Sequence, residues 1–304
     1  MPGRPDSIAL PFAAGCAGIA LFSIMDAVMK HLVLELGTYN ALVWRNGTGA
    51  LIAGFFFFAT RQRWPGRAAI RIHLTRGFVG TVMGFLFFWG LGRVPLAQAI
   101  ALAFIAPLIS LYLAAAILRE RIERQAILAS LLGLAGVVVI FGGQAELELG
   151  PEALLGSLAI LASAGLYAYN IILMRQQAQV AGPIEVAFFI SGIITLTLSL
   201  GAPFLAVVPA AEHWPWILFG AVLAFGSLLL LAWAYARAEA QHLAPVEYTS
   251  FIWAAVLGWF VFGEKVGLFT LAGAVLIVAA CLIAASRRAP DAALQAETGV
   301  PGGA

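Results

Sequence analysis

Residues 95–118, PLAQAIALAFIAPLISLYLAAAIL, run without a single Asp, Glu, Lys, Arg or His. A helix needs roughly 20 mostly apolar residues to cross the hydrocarbon core of a bilayer. This stretch is long enough and apolar enough to do so. It therefore predicts a membrane-spanning helix, and the fold depends on how often the same pattern recurs along the chain.

The composition of the whole chain also indicates a protein that lies in a lipid bilayer. Of its 304 residues, 62% are hydrophobic and only 11% are charged. A soluble domain carries about 25% charged residues, and a disordered chain is poor in apolar ones, so both classes are excluded. The net charge of +2 gives no reason to expect a nucleic-acid partner. We expect an all-α integral membrane protein in contact with the lipid bilayer.

Ten apolar runs of spanning length occur along the chain, and several are bounded by charges or by proline and glycine. They cover approximately residues 8–30, 39–60, 74–92, 95–118, 125–143, 154–174, 185–208, 214–236, 244–262 and 267–286. Residues 289–304 are small and polar, with proline and glycine, which predicts a disordered tail. The sequence thus predicts ten transmembrane helices followed by a short disordered segment.

The basic residues are distributed unequally between the two sides that these spans would create. Of the 17 Lys and Arg, 13 fall on the side of both termini and the even-numbered loops, three on the other side, and Arg45 within a span. The three are Lys30, Arg93 and Lys265. Loops rich in Lys and Arg stay in the cytoplasm. We therefore predict cytoplasmic N- and C-termini and a cytoplasmic tail at 289–304.

The two halves of the chain resemble each other at an offset of 144 residues. Trp89 aligns with Trp233, Arg93 with Arg237, and Glu120 with Glu264. Each half, 8–143 and 154–286, holds five predicted spans, and an odd number gives the halves opposite orientations in the membrane. Inverted repeats of this kind are typical of secondary transporters. The alternative is chance similarity, because apolar segments align easily with one another.

Short motifs around the fourth and ninth spans resemble a known family. In the first half they are AQA at 97–99, PL at 107–108 and LRERI at 118–122; in the second half, APVEY at 244–248 and FGEKV at 262–266. Over roughly residues 10–286 the chain is similar to the drug/metabolite transporter superfamily, EamA type. The resemblance implies two inverted five-helix repeats with the fourth and ninth helices at the centre. One departure is that Phe251 stands where Pro107 would have its counterpart.

The resemblance also implies a function. Similar bacterial proteins export amino acids, particularly aromatic ones, so we expect a broad-specificity exporter of small metabolites in the bacterial inner membrane. The cargo implied is amino acids with apolar or aromatic side chains; drug-like cations or other metabolites are the alternative. The chain has no G-x-S-x-G, H-E-x-x-H or Walker motif, so we expect no enzyme activity, metal, cofactor or direct use of ATP. Proton coupling and the oligomeric state stay open.

Charged residues inside spans are candidates for function, because a charge in the bilayer is costly unless it is paired or hydrated. Asp26 and Lys30 are four residues apart, close enough to pair on one helix face, and Arg45 lies at a similar depth. These residues could receive a zwitterionic substrate or gate the cavity, or form an interfacial ion network. Glu247 could bind a substrate ammonium or a proton, or be a first-turn acid stabilised by the helix N-terminus.

Polar amides and aromatic rings complete the set of candidates. Asn170 could hydrogen-bond a substrate or join neighbouring helices. Aromatic rings suit an apolar or aromatic side chain, although packing and interfacial belts use the same residues. Pro107 lies within its span, should kink that helix and is a candidate hinge. The aromatic candidates are Phe85, Trp89, Phe104, Tyr167, Tyr248 and Trp253.

Overall fold

The computed structural model describes residues 9–118, 124–143, 150–237 and 240–285, and these ranges contain helices and no strand. A single turn of 3-10 helix precedes α9. The helices, in chain order, are α1 Ala9–Ala59, α2 Arg67–Leu91, α3 Leu96–Ala103, α4 Ala106–Leu118, α5 Arg124–Gly142, α6 Pro151–Ala178, α7 Pro183–Ser199, α8 Ala202–Leu205, α9 Trp214–Tyr235, α10 Ala240–Phe262 and α11 Leu268–Ala285.

Five helical stretches of the described chain are long and apolar enough to cross a membrane. Shorter apolar helices cover parts of α5, α7, α10 and α11. The count of ten spans and the side on which the termini lie therefore remain predictions. The five stretches are Leu10–Ala59, Arg67–Leu91, Leu96–Leu113, Pro151–Ala178 and Ala211–Tyr235.

Helix α1 is two helices joined at a kink. The kink lies at Gly37, whose φ of 75° and ψ of 158° are not helical. Glycine has no Cβ and so adopts a positive φ that other residues avoid. The sequence predicts a break between 30 and 39, and the kink falls near the end of that interval. The helix before it is therefore longer than the apolar run alone indicates.

The fourth predicted span is broken into α3 and α4. Pro107 has no N–H and cannot donate to a carbonyl in the preceding turn. The helix is interrupted at Phe104 and Ile105, just before the proline, and the Phe104 carbonyl accepts a hydrogen bond from the Cys281 thiol at 3.4 Å. The chain is thus bent in the part of the span where Pro107 predicts a hinge.

Two helix boundaries differ from the apolar runs. Helix α2 begins at Arg67, not at 74, because its first two turns carry two arginines, Arg67 and Arg71, that a search for apolar residues passes over. Helix α7 ends at Ser199, not at 208, and the short α8 and an extended segment follow. Gly201, Pro203 and Pro209 explain the early end, since none of them favours continuing a helix.

The main packing contacts join the first half of the chain to the second. Helix α1 packs against α9 and α7, α2 against α6 and α7, and α5 against α11. The closest crossing is between α5 and α11: a Cβ added to Gly136 would lie 2.7 Å from the Gly273 carbonyl oxygen, and the reciprocal distance is 2.5 Å. Small residues at such a crossing let two helix backbones approach closely.

Candidate functional site

One end of the molecule is closed by a group of contacts around Lys30. The Lys30 amine forms an ion pair with Glu264 Oε1 and donates to the Val94 carbonyl at 2.6 Å. The other carboxylate oxygen of Glu264 accepts the Leu96 N–H at 2.7 Å. These four residues, which we name the Lys30 cluster, join α1 to the α2–α3 connection and to the segment after α10. Lys30 is only 4% exposed, so its contacts with these segments are shielded from solvent.

The expected pair between Asp26 and Lys30 is not formed. Four-residue spacing places the two side chains on one face of α1, but Lys30 is directed to Glu264 instead. Asp26 is 2% exposed, and neither of its carboxylate oxygens has a hydrogen-bond partner among the described residues. Arg45 lies near enough to interact with Asp26 electrostatically, yet its hydrogen bonds go to Asn46 and Met25.

Two Trp–Arg pairs occupy equivalent positions in the two halves. The Arg93 guanidinium lies 3.6 Å from the centre of the Trp89 ring, and the Arg237 guanidinium 4.2 Å from that of Trp233. Both arginines also donate to the carbonyl of their own tryptophan, at 3.0 and 3.2 Å. The residues that align in sequence therefore have the same local structure. For Trp89 this places the ring at a helix end, in a cation–π pair.

Opposite charges and tyrosines meet towards the other end of the molecule. The Tyr235 hydroxyl donates to Glu247 Oε1 at 2.5 Å. Tyr167, from α6, interacts electrostatically with both Glu247 and Arg76. Tyr248 follows Glu247 on α10 and is half-buried. We name this group, Arg76, Tyr167, Tyr235, Glu247 and Tyr248, the Glu247 cleft.

The residues of the Glu247 cleft come from helices that pack into separate groups. Helix α6 packs mainly against α2, α4 and α3, whereas α9 packs mainly against α1. Tyr167 and Tyr235 interact with the same carboxylate from these separate groups, and they remain 38% and 37% exposed. The two tyrosines thus share one carboxylate and stay partly accessible, and the space beside them is our candidate binding cleft. Glu247 itself is exposed.

Aromatic and thiol groups extend the cleft towards the middle of the molecule. The Phe104 and Tyr248 rings meet edge to face, with centroids 5.3 Å apart. Phe104 lies at the break between α3 and α4, and the Cys281 thiol binds its carbonyl. The break therefore places an aromatic ring beside Tyr248. Helices from both halves contribute to this surface, which is apolar next to the charged part of the cleft.

A buried hydrogen-bonded chain holds Arg76 in place. Its Nε donates to Asn170 Oδ1 at 3.1 Å and its Nη1 donates to Gln177 Oε1. The Gln177 amide donates to Nδ1 of His73 at 2.5 Å, so the opposite ring nitrogen, Nε2, donates to Glu185 at 2.9 Å. His73 is fully buried. Arg76 is thus oriented through bonds that reach from α2 to α6 and α7.

The predicted site residues separate into three groups. Glu247, Tyr248, Tyr167, Asn170 and Phe104 come together in or beside the Glu247 cleft, whereas Asp26 and Arg45 lie near the Lys30 cluster. Phe85 is half-buried and packs against the core. Trp253 is 39% exposed on the same face of α10 as Ile252 and Val256.

Several residues of the site were missed by sequence reasoning. Arg76 was counted as a loop charge, but it lies in the third turn of α2. Gln177, His73 and Glu185 are ordinary polar residues in sequence, and only tertiary packing joins them. The Glu264 motif was visible, but its partner is 234 positions away. Its counterpart Glu120, with the rest of 119–123, lies outside the described residues.

The comparison with known protein families agrees with this architecture. The model of the EamA-like transporter family matches residues 10–142 and, a second time, residues 154–286. The chain belongs to the EamA-like transporter family. It is therefore a multi-pass membrane transporter and not an enzyme.

EamA-like relatives with assigned cargo are similar over most of their length. The pseudopaline exporter CntI of Pseudomonas aeruginosa is 27% identical, covering 86% of this chain and 90% of the exporter. An S-adenosylmethionine uptake transporter of Rickettsia bellii is 28% identical, covering 86% and 88%. A riboflavin transporter of Rhizobium johnstonii is 27% identical, covering 88% and 87%. The family fold thus serves different cargoes and both directions of transport.

A solved structure has the same fold. It superposes with a TM-score of 0.61 at 22% sequence identity, covering 94% of this chain and all of the other. The arrangement of helices in this EamA-like transporter therefore matches one observed in a crystal.

Proposed function

We propose that this EamA-like transporter exports amino acids with apolar or aromatic side chains across the bacterial inner membrane. The supporting observation is the Glu247 cleft, in which Arg76 and Glu247 both interact with Tyr167. An amino acid carries a carboxylate and an ammonium group close together. Arg76 would bind the carboxylate and Glu247 the ammonium, because charge-assisted hydrogen bonds are the strong ones.

The aromatic lining fits the remainder of such a substrate. Tyr167, Tyr235, Tyr248 and Phe104 provide ring surface beside the two charges. Binding sites for small molecules are mostly apolar, with a few polar groups that fix the orientation of the ligand. Since the rings place few constraints on side-chain shape, we expect broad specificity among apolar and aromatic amino acids.

Transport would proceed by alternating access between two inverted repeats, 8–143 and 154–286. The repeated match to the family model and the equivalent Trp–Arg pairs support this arrangement. The packing of α2 on α6 has its counterpart in the packing of α1 on α9. Exchange of the conformations of two inverted halves turns a cleft open on one side into one open on the other.

The distribution of basic residues supports a cytoplasmic location for the Glu247 end. Loops at that end are rich in arginine, and both termini belong to the same side. The conformation described here would then be open to the cytoplasm and closed to the outside by the Lys30 cluster. Loading of substrate from the cytoplasm is what an exporter requires in this state.

A second candidate cargo is a drug-like cation. Glu247 with three tyrosines could bind a cation without any help from Arg76, since aromatic faces attract cations. The relatives that transport S-adenosylmethionine and riboflavin show how varied the cargo of this family is. A cation would leave Arg76 without a substrate group to bind, so substitution of Arg76 distinguishes the two candidates.

Reconstitution into liposomes tests the proposal. Counterflow of labelled phenylalanine, leucine and tyrosine should be saturable, and a cationic drug should neither be transported nor compete. Arg76→Gln should impair amino-acid flux roughly tenfold or more, the loss expected for one charge-assisted hydrogen bond. Arg71→Gln, on the exposed surface of the same helix, is the matched control. Flux of the drug in the absence of amino-acid flux would refute the proposed cargo.

A further inference from the structure

Asp26 is an ionisable residue that is buried inside a helix bundle. It lies in the interior of the first part of α1, is 2% exposed, and has no hydrogen-bond partner for either carboxylate oxygen among the described residues. Lys30 is one turn further along, but its amine is taken by Glu264 and by the Val94 carbonyl. The cleft described above does not include Asp26, so the proposed binding of substrate leaves this residue without a role.

Helix α1 near Asp26 and the helix packed on it hold further buried polar atoms without partners in the described part of the chain. The hydroxyls of Ser23 and Ser227 and the Nε atom of Arg45 are buried and also have no partner among the described residues. Ser23 is one turn before Asp26 on the same helix, and Ser227 comes from α9, which packs against that helix. Buried polar groups with unused hydrogen-bonding capacity call for an explanation, and the one we pursue is the binding of another species.

Charged groups on the packed elements leave Asp26 with one electrostatic neighbour. Helix α9, Trp214–Tyr235, contains no Asp, Glu, Lys, Arg or His. On α10, Glu247 is bonded to Tyr235, and on α7, Glu185 is bonded to His73. On α2, Arg76 is bonded to Asn170 and Gln177. Arg45 acts on Asp26 at a distance without forming an ion pair. An ionised carboxylate here would therefore be neither hydrogen-bonded nor paired.

An unpaired buried carboxylate costs several kcal/mol, and uptake of a proton removes most of that cost. We propose that Asp26 is a proton-binding site whose occupancy is coupled to the closed Lys30 cluster. The proton is bound while the Lys30 end is sealed. When Lys30 separates from Glu264, water reaches Asp26, and the carboxyl group releases its proton to that water. The charged carboxylate is then stabilised by hydration and by Lys30 and Arg45.

The coupling fixes the direction of the pH effect. The closed state holds one more proton, on Asp26, than the state with an open Lys30 end. A state that binds more protons is favoured as the pH falls, here by up to about tenfold per pH unit. Low pH should therefore close the Lys30 end. The inference requires the Lys30 end to open and close, as the proposed alternating access does, but it is independent of the cargo.

Cysteine labelling without substrate tests the proposal. Val94→Cys, with Cys16 and Cys281 replaced by Ser, places a thiol at a buried position of the Lys30 cluster whose backbone carbonyl is retained. Reaction with a methanethiosulfonate reagent is normalised to Leu205→Cys, which is exposed. Protection of the Val94→Cys thiol should increase as the pH falls from 8 to 5. With Asp26→Asn added, the thiol should be as well protected at every pH in this range as it is at pH 5 without that substitution.

The controls separate this site from other causes. Glu35→Gln, an exposed acid on the same helix, should keep the pH dependence of the parent protein. Protection that is independent of pH in the parent protein would overturn the proposal without requiring any Asp26 variant to fold. Protection that follows Na⁺ concentration instead of pH would assign the site to a metal cation and would also overturn it. Absence of amino-acid flux would refute the proposed cargo but not the proton site, because the labelling experiment contains no substrate.

Discussion

Lys30 and Glu264 form an ion pair that joins the first helix to the segment after α10, across 234 positions of sequence. Lys30 is buried and Glu264 is partly buried, and each partner makes one further hydrogen bond, to Val94 and Leu96 respectively. A buried ion pair is favourable only when such additional bonds satisfy both groups. The Lys30 cluster meets this condition and closes one end of the transporter.

Removal of the lysine charge should open the closed end. Lys30→Met leaves the Glu264 carboxylate with only the Leu96 N–H, and loss of one partner of a buried pair costs about 3–5 kcal/mol. We expect Val94→Cys, in the same background, to react with the methanethiosulfonate reagent more than tenfold faster. Lys265→Met, at the exposed neighbouring position, is the control and should leave the rate unchanged. An unchanged rate in Lys30→Met would show that the pair does not hold this end closed.

The crossing of α5 and α11 should tolerate no side chain. A Cβ at position 273 would lie 2.5 Å from both the Gly136 carbonyl oxygen and a side-chain carbon of Ile140. A backbone carbonyl cannot move without moving its helix, so we expect Gly273→Ala to destabilise the protein by about 1–3 kcal/mol. Thermal unfolding in detergent measures the effect.

Gly165→Ala provides the comparison for that crossing. Gly165 lies within α6, and a Cβ there would meet nothing within 4 Å. Alanine is a better helix former than glycine, so this variant should be unchanged or slightly more stable. Equal unfolding temperatures for Gly273→Ala and the parent protein would contradict the close approach of α5 and α11.

The hydrogen-bonded chain behind Arg76 should affect binding from a distance. His73→Phe retains a ring that can stack on Phe189, where the present centroid distance is 4.7 Å. It removes the acceptor of the Gln177 side-chain N–H and the donor to the Glu185 carboxylate, at a cost of about 1–3 kcal/mol each. Because Gln177 orients Arg76, we expect KM for amino acids to rise several-fold with little change in kcat. Thr75→Val, exposed on the same helix, is the control.

A change confined to stability would give a different result. If His73 only supports the fold, lower stability in detergent should accompany an unchanged KM in the molecules that remain folded. If it positions Arg76, the increase in KM should be smaller in an Arg76→Gln background, since the group that it positions is already lost. This double-mutant comparison measures the coupling between the two residues.

Local features of the fold could be predicted from the sequence because they depend on local residue types. Uninterrupted apolar runs predicted where helices lie, and Gly37 and Pro107 lie at or beside the two interruptions. The beginning of α2 was missed because Arg67 and Arg71 resemble loop residues, and Arg76 was counted with them as a loop charge. In the folded protein, Arg76 is half-buried and hydrogen-bonded to two amides.

The site was predictable only in part, because contacts between distant segments leave no local signal. Asp26 and Lys30 have ideal spacing for a pair, yet the carboxylate of Glu264 lies closer to the lysine once the helices pack. Glu247 and Tyr248 were predicted correctly as neighbours on one helix, but the contribution of Tyr235 depends on how α9 meets α10. Trp253 lies on the same face of α10 as Ile252 and Val256, and its part in binding stays a prediction.

The most direct test of the account asks whether the cleft recognises both charges of an amino acid. Three unlabelled compounds are compared as competitors for transport of labelled phenylalanine into proteoliposomes. They are phenylalanine itself, its methyl ester, which lacks the carboxylate, and its N-acetyl derivative, which lacks the ammonium group. The parent protein should prefer phenylalanine to both analogues by roughly tenfold or more. Arg76→Gln should lose the preference over the ester alone, and Glu247→Gln the preference over the N-acetyl derivative alone. Equal competition by all three compounds in the parent protein would contradict recognition of a zwitterion by Arg76 and Glu247.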